Sequence, residues 1–129
     1  MASIFTKIIN GDIPSHKVAE NDKFYAFLDI SPLQKGHTLV IPKTEVDYIF
    51  DLEDDLLGEM MVFSKLVAKK IKATFPCDRI GVTVIGLEVP HAHIHLVPIN
   101  SMMDMNFANE KMSLTADEMA AIAEQIRKA

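Results

Sequence analysis

Pro90-His91-Ala92-His93-Ile94-His95-Leu96-Val97-Pro98 is the stretch on which fold and chemistry both turn. Between two prolines, imidazole alternates with apolar side chains, and three of the chain's five histidines fall within five residues. Successive side chains of a strand point to opposite faces, and alternate ones lie about 7 Å apart on one face. The spacing therefore predicts a strand over His91–Val97 with His91, His93 and His95 on one side and Ala92, Ile94 and Leu96 on the other. The apolar set suits a face pressed against a helix. The imidazole set suits a face open to a ligand. Three readings are open for it. A solvated polar face is the bland one, although imidazole is a poor filler for an exposed strand and a favoured catalytic group. A zinc site is the second, since imidazole is the commonest zinc ligand; His37 and His16 would have to complete it, with no cysteine or acidic residue obviously placed to help. A nucleophile is the third: imidazole attacking phosphorus gives a labile phosphoramidate, and neighbouring imidazoles can donate to phosphate oxygens.

Working outward, prolines 14, 32, 42, 76 and 98 punctuate the chain. A short helical turn is predicted near Ser3–Ile9 and a strand near Lys17–Glu20. A second strand, Lys23–Leu28, follows across an Asn21-Asp22 hairpin turn, and a third runs over Gly36–Ile41. Leu56, Met60, Phe63, Val67 and Ile71 repeat every three or four residues and predict a long helix with one apolar face. Acidic residues 51 and 53–55 precede that face and Lys69, Lys70 and Lys72 end it, matching the helix dipole; Pro76 stops it. Two further strands, Arg79–Gly86 and His91–Val97, flank a connection holding Glu88 and Pro90. The Met-rich stretch Ser101–Met112 has no period and reads as loop. Thr115-Ala116-Asp117-Glu118 is a capping box ahead of a last helix striped by Met119, Ile122, Ala123 and Ile126. The order β-β-β-α-β-β-α predicts an α+β fold. Its five-stranded, mainly antiparallel sheet would carry one long helix, a short N-terminal helix and an extra C-terminal helix. Such a short sheet leaves an exposed edge that a second chain could cover.

Composition bounds the rest. A chain of 129 residues is one domain, here 1–129, with 1–100 as its core and 101–129 as the Met-rich loop and last helix. A net charge of −5, with no basic cluster denser than Lys69-Lys70-Lys72, argues against nucleic acid as partner. The single cysteine, Cys77, excludes an intramolecular disulfide and any CxxC pair. No stretch reaches membrane-span length and the first residues lack the apolar core of a secretion signal, so a cytoplasmic domain with no membrane partner is expected.

A second segment adds Asp29, where strand gives way to loop ahead of Ser31-Pro32. A carboxylate there can accept from vicinal hydroxyls, or simply form the turn. His37 shares parity with Leu39 and Ile41 and reads as a half-buried, hydrogen-bonded histidine. Ile4, Phe5 and Ile8 stripe the first helical turn, as core or as pocket.

Taken together, the opening Ile4-Phe5-x-Lys7-Ile8-Ile9-x-Gly11-x-Ile13-Pro14, the Asp29…Gly36-His37…Ile41-Pro42-Lys43 segment and the His91–Val97 run resemble the histidine triad (HIT) family, in its branch of small nucleoside phosphoramidate hydrolases. The resemblance implies that two subunits join their sheets into one, and that a purine nucleotide is the ligand. It implies His93 as the nucleophile, His95 as a phosphate contact, His91 as support for the nucleophile and His37 as the fourth histidine beside them. Asp29 would hold the ribose hydroxyls, with Ile4, Phe5, Ile8, Phe27 and Ile30 as the purine pocket. No cofactor and no metal are expected. Many bacterial relatives carry a CxxC of a zinc site where this chain has Ser3 and Thr6. The family's usual Gly-Gln-[Ser/Thr]-Val before the triad is here Gly86-Leu87-Glu88-Val89, which makes Glu88 a candidate leaving-group contact. The expected function is hydrolysis or transfer of nucleotidyl groups from purine nucleoside 5′-phosphoramidates through a nucleotidyl-histidine intermediate. The alternatives are a nucleotide-binding module with little turnover and a zinc-binding protein.

Overall fold

The structure, a computed structural model, describes residues 2–129. In chain order its elements are α1 (Ile4–Ile9), β1 (Lys17–Glu20), β2 (Phe24–Leu28), β3 (Thr38–Pro42), α2 (Asp54–Thr74), β4 (Arg79–Thr83), β5 (Ile94–Ile99) and α3 (Ala116–Lys128). Short 3-10 turns at Ile49–Asp51 and Met102–Met105 fall in segments that show no period in the sequence. The strands form one antiparallel sheet in the order β1-β2-β3-β5-β4. The β1–β2 hairpin is closed by Asn21, whose Oδ1 accepts from the N–H groups of Lys23 and Phe24 at 2.9 and 2.8 Å.

All five residues of β2 and all five of β3 are buried, because both faces of the sheet are covered. On one face Phe24, Ala26, Leu28, Val40, Ile94 and Leu96 meet the Met60, Phe63, Val67 and Ile71 stripe of α2 and the buried stripe of α3. On the other face Tyr25, Phe27, Leu39 and Ile41 pack with Phe5 of α1. Each large apolar side chain so buried contributes about 2 kcal/mol of gross stabilisation. Leu39 is the register partner of His95, so the imidazole side of β5 lies on the α1 face. The site is therefore built where the thin layer sits.

Three expectations need correction. The triad strand begins at Ile94, so His91 and His93 precede it rather than lying within it. The ladder with β3 stops because Pro42 has no N–H to offer, and Ala92 donates instead to Val46 O at 2.7 Å. The inward direction of Ala92 survives without a strand, since it is 1% exposed in the main core. Next, β4 ends at Thr83 rather than Gly86, as the chain leaves the sheet towards the triad. The imidazole face, finally, is not open: His91, His93 and His95 are 0, 6 and 7% exposed.

Gly36, just before His37, has φ +93° and a Cβ there would stand 2.9 Å from the Phe75 ring. Only glycine meets both demands, and this sets the chain direction from which His37 turns inward.

Candidate active site

His91 is fixed at both ring nitrogens. Its Nε2 lies 2.8 Å from Pro42 O, and a carbonyl only accepts, so Nε2 carries the proton. Its Nδ1 is then bare and accepts from Ser3 Oγ at 2.7 Å. Burial holds this imidazole below its ordinary pKa, against the opposing pull of the Pro42 carbonyl. Ser3 also caps α1, accepting from Thr6 N–H at 3.0 Å.

His93 takes its orientation from the backbone of His91. Nδ1–H donates to His91 O at 2.8 Å, which leaves the Nε2 lone pair free. Phe5 of α1 stands edge-on to this ring at 5.1 Å and Phe27 backs Phe5 at 5.4 Å.

A second chain of bonds sets His95. Leu33 N–H donates to His37 Nδ1 at 3.0 Å, so His37 keeps its proton on Nε2. That proton goes to His95 Nδ1 at 3.0 Å, so His95 is left with Nε2–H as a free donor. Both are held neutral. Burial, then the neighbouring His95, pushes His37 down to about 3, and burial, then His93, pushes His95 down to about 4. The His93 and His95 rings meet at 5.0 Å, setting a bare nitrogen beside an N–H donor. Such a pair can attack phosphorus and hold a phosphate oxygen.

Asp29 serves the turn and faces the histidines at once. Oδ1 accepts from Ser31 N–H at 2.8 Å, while Oδ2 lies 3.6 Å from His37 Nε2. Burial pushes its carboxyl up, opposed by the Ser31 bond and the His93 and Lys111 charges. The carboxylate and the imidazoles of His37 and His95 offer ligand atoms within 4.8 Å of one another, so an acidic residue does sit where a metal reading needs one. The two imidazoles already spend a nitrogen each on their mutual bond.

Of the expected pocket residues, Phe5 and Phe27 are buried together and Ile8 packs on them. Ile4 and Ile30 do not join them; they are 49 and 80% exposed. Glu88 is exposed, and its charge adds to the upward push on Asp29, which puts it on the rim of the site. On the other side of His93 a groove of about 850 Å³ runs past Tyr48, Phe50, Met61, Val84 and Leu87.

Three residues of the site carry no sequence signal. Phe107, from the Met-rich stretch, stands edge-on to His95 at 4.9 Å and to His37 at 6.0 Å. Lys111 donates to the carbonyls of Phe107 and Asn109 and puts a positive charge beside Asp29. Glu45 accepts from Ser3 N–H and Thr6 Oγ1–H, both at 2.6 Å.

Residues 10–102 match the HIT domain family. The adenosine 5′-monophosphoramidase HNT1 of Saccharomyces cerevisiae is 41% identical over 98 residues, which cover 75% of this chain and 62% of that protein. The adenosine 5′-monophosphoramidase hnt1 of Schizosaccharomyces pombe is 33% identical over 128 residues, covering 98% and 96%. Among solved structures, a HIT-like protein from Bartonella henselae superposes with a TM-score of 0.85 at 31% identity, over 98% of this chain and 94% of that one.

Proposed function

The chain belongs to the HIT domain family, and from that premise we propose that it is a nucleotide hydrolase acting on purine nucleoside 5′-phosphoramidates through a nucleotidyl-histidine intermediate. The observation that carries the reading is the His93 ring, held by its Nδ1–H on His91 O with Nε2 unpaired. In the first step Nε2 attacks the α-phosphorus, the P–N bond breaks, and the departing nitrogen takes its electron pair and a proton from water. In the second, water adds to phosphorus and gives one proton to the hydroxide left by the first step, the Nε2–P bond breaks with its pair returning to nitrogen, and the nucleoside monophosphate leaves. His95 Nε2–H donates to a non-bridging oxygen in both steps, and His37 keeps that proton on the correct nitrogen. Asp29 Oδ2 accepts from a ribose hydroxyl, and Phe5, Phe27 and Ile8 hold the purine. The two relatives named as adenosine 5′-monophosphoramidases support adenosine as the nucleoside.

The reading takes the whole chain as one domain working as a homodimer in the cytoplasm. Support for the dimer comes from β4, an edge strand carrying exposed Val82, with exposed Val84 and Ile85 just beyond it and exposed Met61 of α2 lining the same groove as those two. A second copy adding its own β4 would pair the edge and cover those side chains. Sedimentation showing only a 14.4 kDa species at micromolar concentration would count against it. No described helix is long and apolar enough to cross a membrane.

The test is release of AMP from adenosine 5′-phosphoramidate, with and without a chelator, by the wild type and His93→Ala. Turnover that ignores the chelator and falls at least about a thousandfold in the variant is expected. AMP binding without turnover would make the protein a binding module. Turnover lost to the chelator would move the chemistry to a metal at Asp29, His37 and His95. Near-normal turnover in the variant would remove the nucleophile assignment.

A further inference from the structure

Glu45 lies outside every motif of the site, and it is exposed, yet its carboxylate oxygen Oε1 is the meeting point of two short bonds from α1. Ser3 N–H and Thr6 Oγ1–H both reach it at 2.6 Å. These bonds span 42 and 39 residues of sequence and tie the start of α1 to the loop after β3. Accepting from a backbone N–H and a hydroxyl favours the charged carboxylate and holds Glu45 down to about 2, so it is ionised throughout the working range.

The consequence runs inward. With its proton given to Glu45, the Thr6 hydroxyl cannot donate to His91, whose Nδ1 is 3.4 Å away. Ser3 Oγ, which accepts from Thr6 N–H, gives its single proton to His91 Nδ1 at 2.7 Å in preference to Thr6 Oγ1 at 3.3 Å. An imidazole that accepts at Nδ1 must donate at Nε2, and Pro42 O is there at 2.8 Å. The ring is thus clamped between α1 and the end of β3, and Ala92 N–H on Val46 O fixes the next peptide. The carbonyl between these anchors is His91 O, which receives His93 Nδ1–H. Phe5, on the same short helix, is the ring edge-on to both His91 and His93.

We infer that Glu45 is a positioning residue for the nucleophile: through Ser3 and Thr6 it holds the His91 ring in place, and the His91 carbonyl in turn keeps His93 Nε2 bare. Glu45 touches neither substrate nor the reacting atoms. Its part rests on the proposed role of His93, but the hydrogen bonding of the His91 ring is readable without any turnover.

The experiment compares wild type, Glu45→Ala, Glu45→Gln, Ser3→Ala and the Ser3→Ala/Glu45→Ala double variant. Kinetics with adenosine 5′-phosphoramidate are paired with nitrogen-15 NMR of the histidine rings in the full chain. Glu45→Ala is expected to lower kcat about tenfold with KM within about twofold, the loss of one charge-assisted bond in the chain. Glu45→Gln keeps an acceptor oxygen for both donors and should restore kcat to within about threefold of wild type. The double variant should be no slower than Ser3→Ala alone, because the two residues act in series. In the NMR spectra Glu45→Ala should move the His91 Nδ1 signal towards that of an unbonded ring nitrogen as the Ser3 bond loosens, which Glu45→Gln reverses. An unchanged His91 signal in folded Glu45→Ala overturns the inference, as does additive loss in the double variant. If the wild type does not cleave the phosphoramidate, the functional reading fails alone, and the ring signals still decide the role of Glu45.

Discussion

Lowering the pH from 7 to 4.5 should remove several kcal/mol of stability from this protein, and the cause is the buried pair His37 and His95. Both lie far below the ordinary value near 6.5, at about 3 and about 4, with burial as the first cause in each. Between those values and 6.5 the unfolded chain takes up protons that the folded chain refuses. Stability therefore rises with pH across this window and is lost as pH falls through it. One pH unit of such mismatch is worth about 1.4 kcal/mol per histidine, so the drop to pH 4.5 costs about 2 kcal/mol for each. His91, also held low by burial, adds in the same sense, whereas Asp29 works in the opposite one, since burial raises its carboxyl and protonation relieves it. Glu45 titrates near 2, below the window. The pair's loss of about 4 kcal/mol is a large share of the 5–15 kcal/mol typical of a domain. Urea titrations followed by circular dichroism at pH 7, 6, 5 and 4.5 read it directly. With a slope of about 1.5 kcal/mol per molar urea, the midpoint should fall by more than about 2 M. His37→Leu, which removes one of the two groups, should roughly halve that pH dependence whatever it does to stability at pH 7. A midpoint flat down to pH 5, or an unaltered slope in His37→Leu, would refute the assignment of the acid sensitivity to this pair.

Two further outcomes follow from the site. Phe107→Ala removes the ring that shields His95 and His37, and should lower stability by about 2 kcal/mol. It should also move the acid limb of the pH–rate profile upwards, because burial is the first cause of the low His95 value; an unmoved limb would make Phe107 mere packing. Asp29→Ala should weaken binding of AMP by about ten- to a hundredfold while 2′,3′-dideoxy-AMP is little affected, as titration calorimetry can show. Equal losses for both ligands would leave Asp29 as the anchor of the Ser31 turn alone.

Much of the scaffold was legible because it is written locally. The α2 stripe, the Asn21 hairpin and the Thr115–Glu118 capping box each repeat or close within a few residues, and each is present in the structure. The alternation of the triad run was read correctly for Ala92, Ile94 and Leu96, all buried in the core. The start of its strand was not, because membership of a ladder belongs to the partner, and Pro42 ends that partner's supply of N–H groups. Glu45 was invisible for a related reason. A lone carboxylate in a polar loop has no period, and its meaning lies 39 and 42 residues away. Phe107 had only the signal of an aromatic in an aperiodic stretch.

The placement of α3 decides how the molecule can be divided. Residues beyond 102 lie outside the family match, yet Met119, Ile122, Ala123 and Ile126 are buried in the same cluster as Val67 and Ile94. The appended segment is thus mortised into the frame rather than hung from it. Excising it would strip the apolar flank of α2 and β1 and leave a sticky remnant, not a minimal enzyme. It also means that the arm carrying Phe107 is moored at both ends, by β5 and by α3. The backing of His95 therefore draws its rigidity from a helix that takes no part in the chemistry. Drift accumulating on the outer surface of α3 is free, whereas a single polar substitution on its inner side would reach His37 and His95 through the frame.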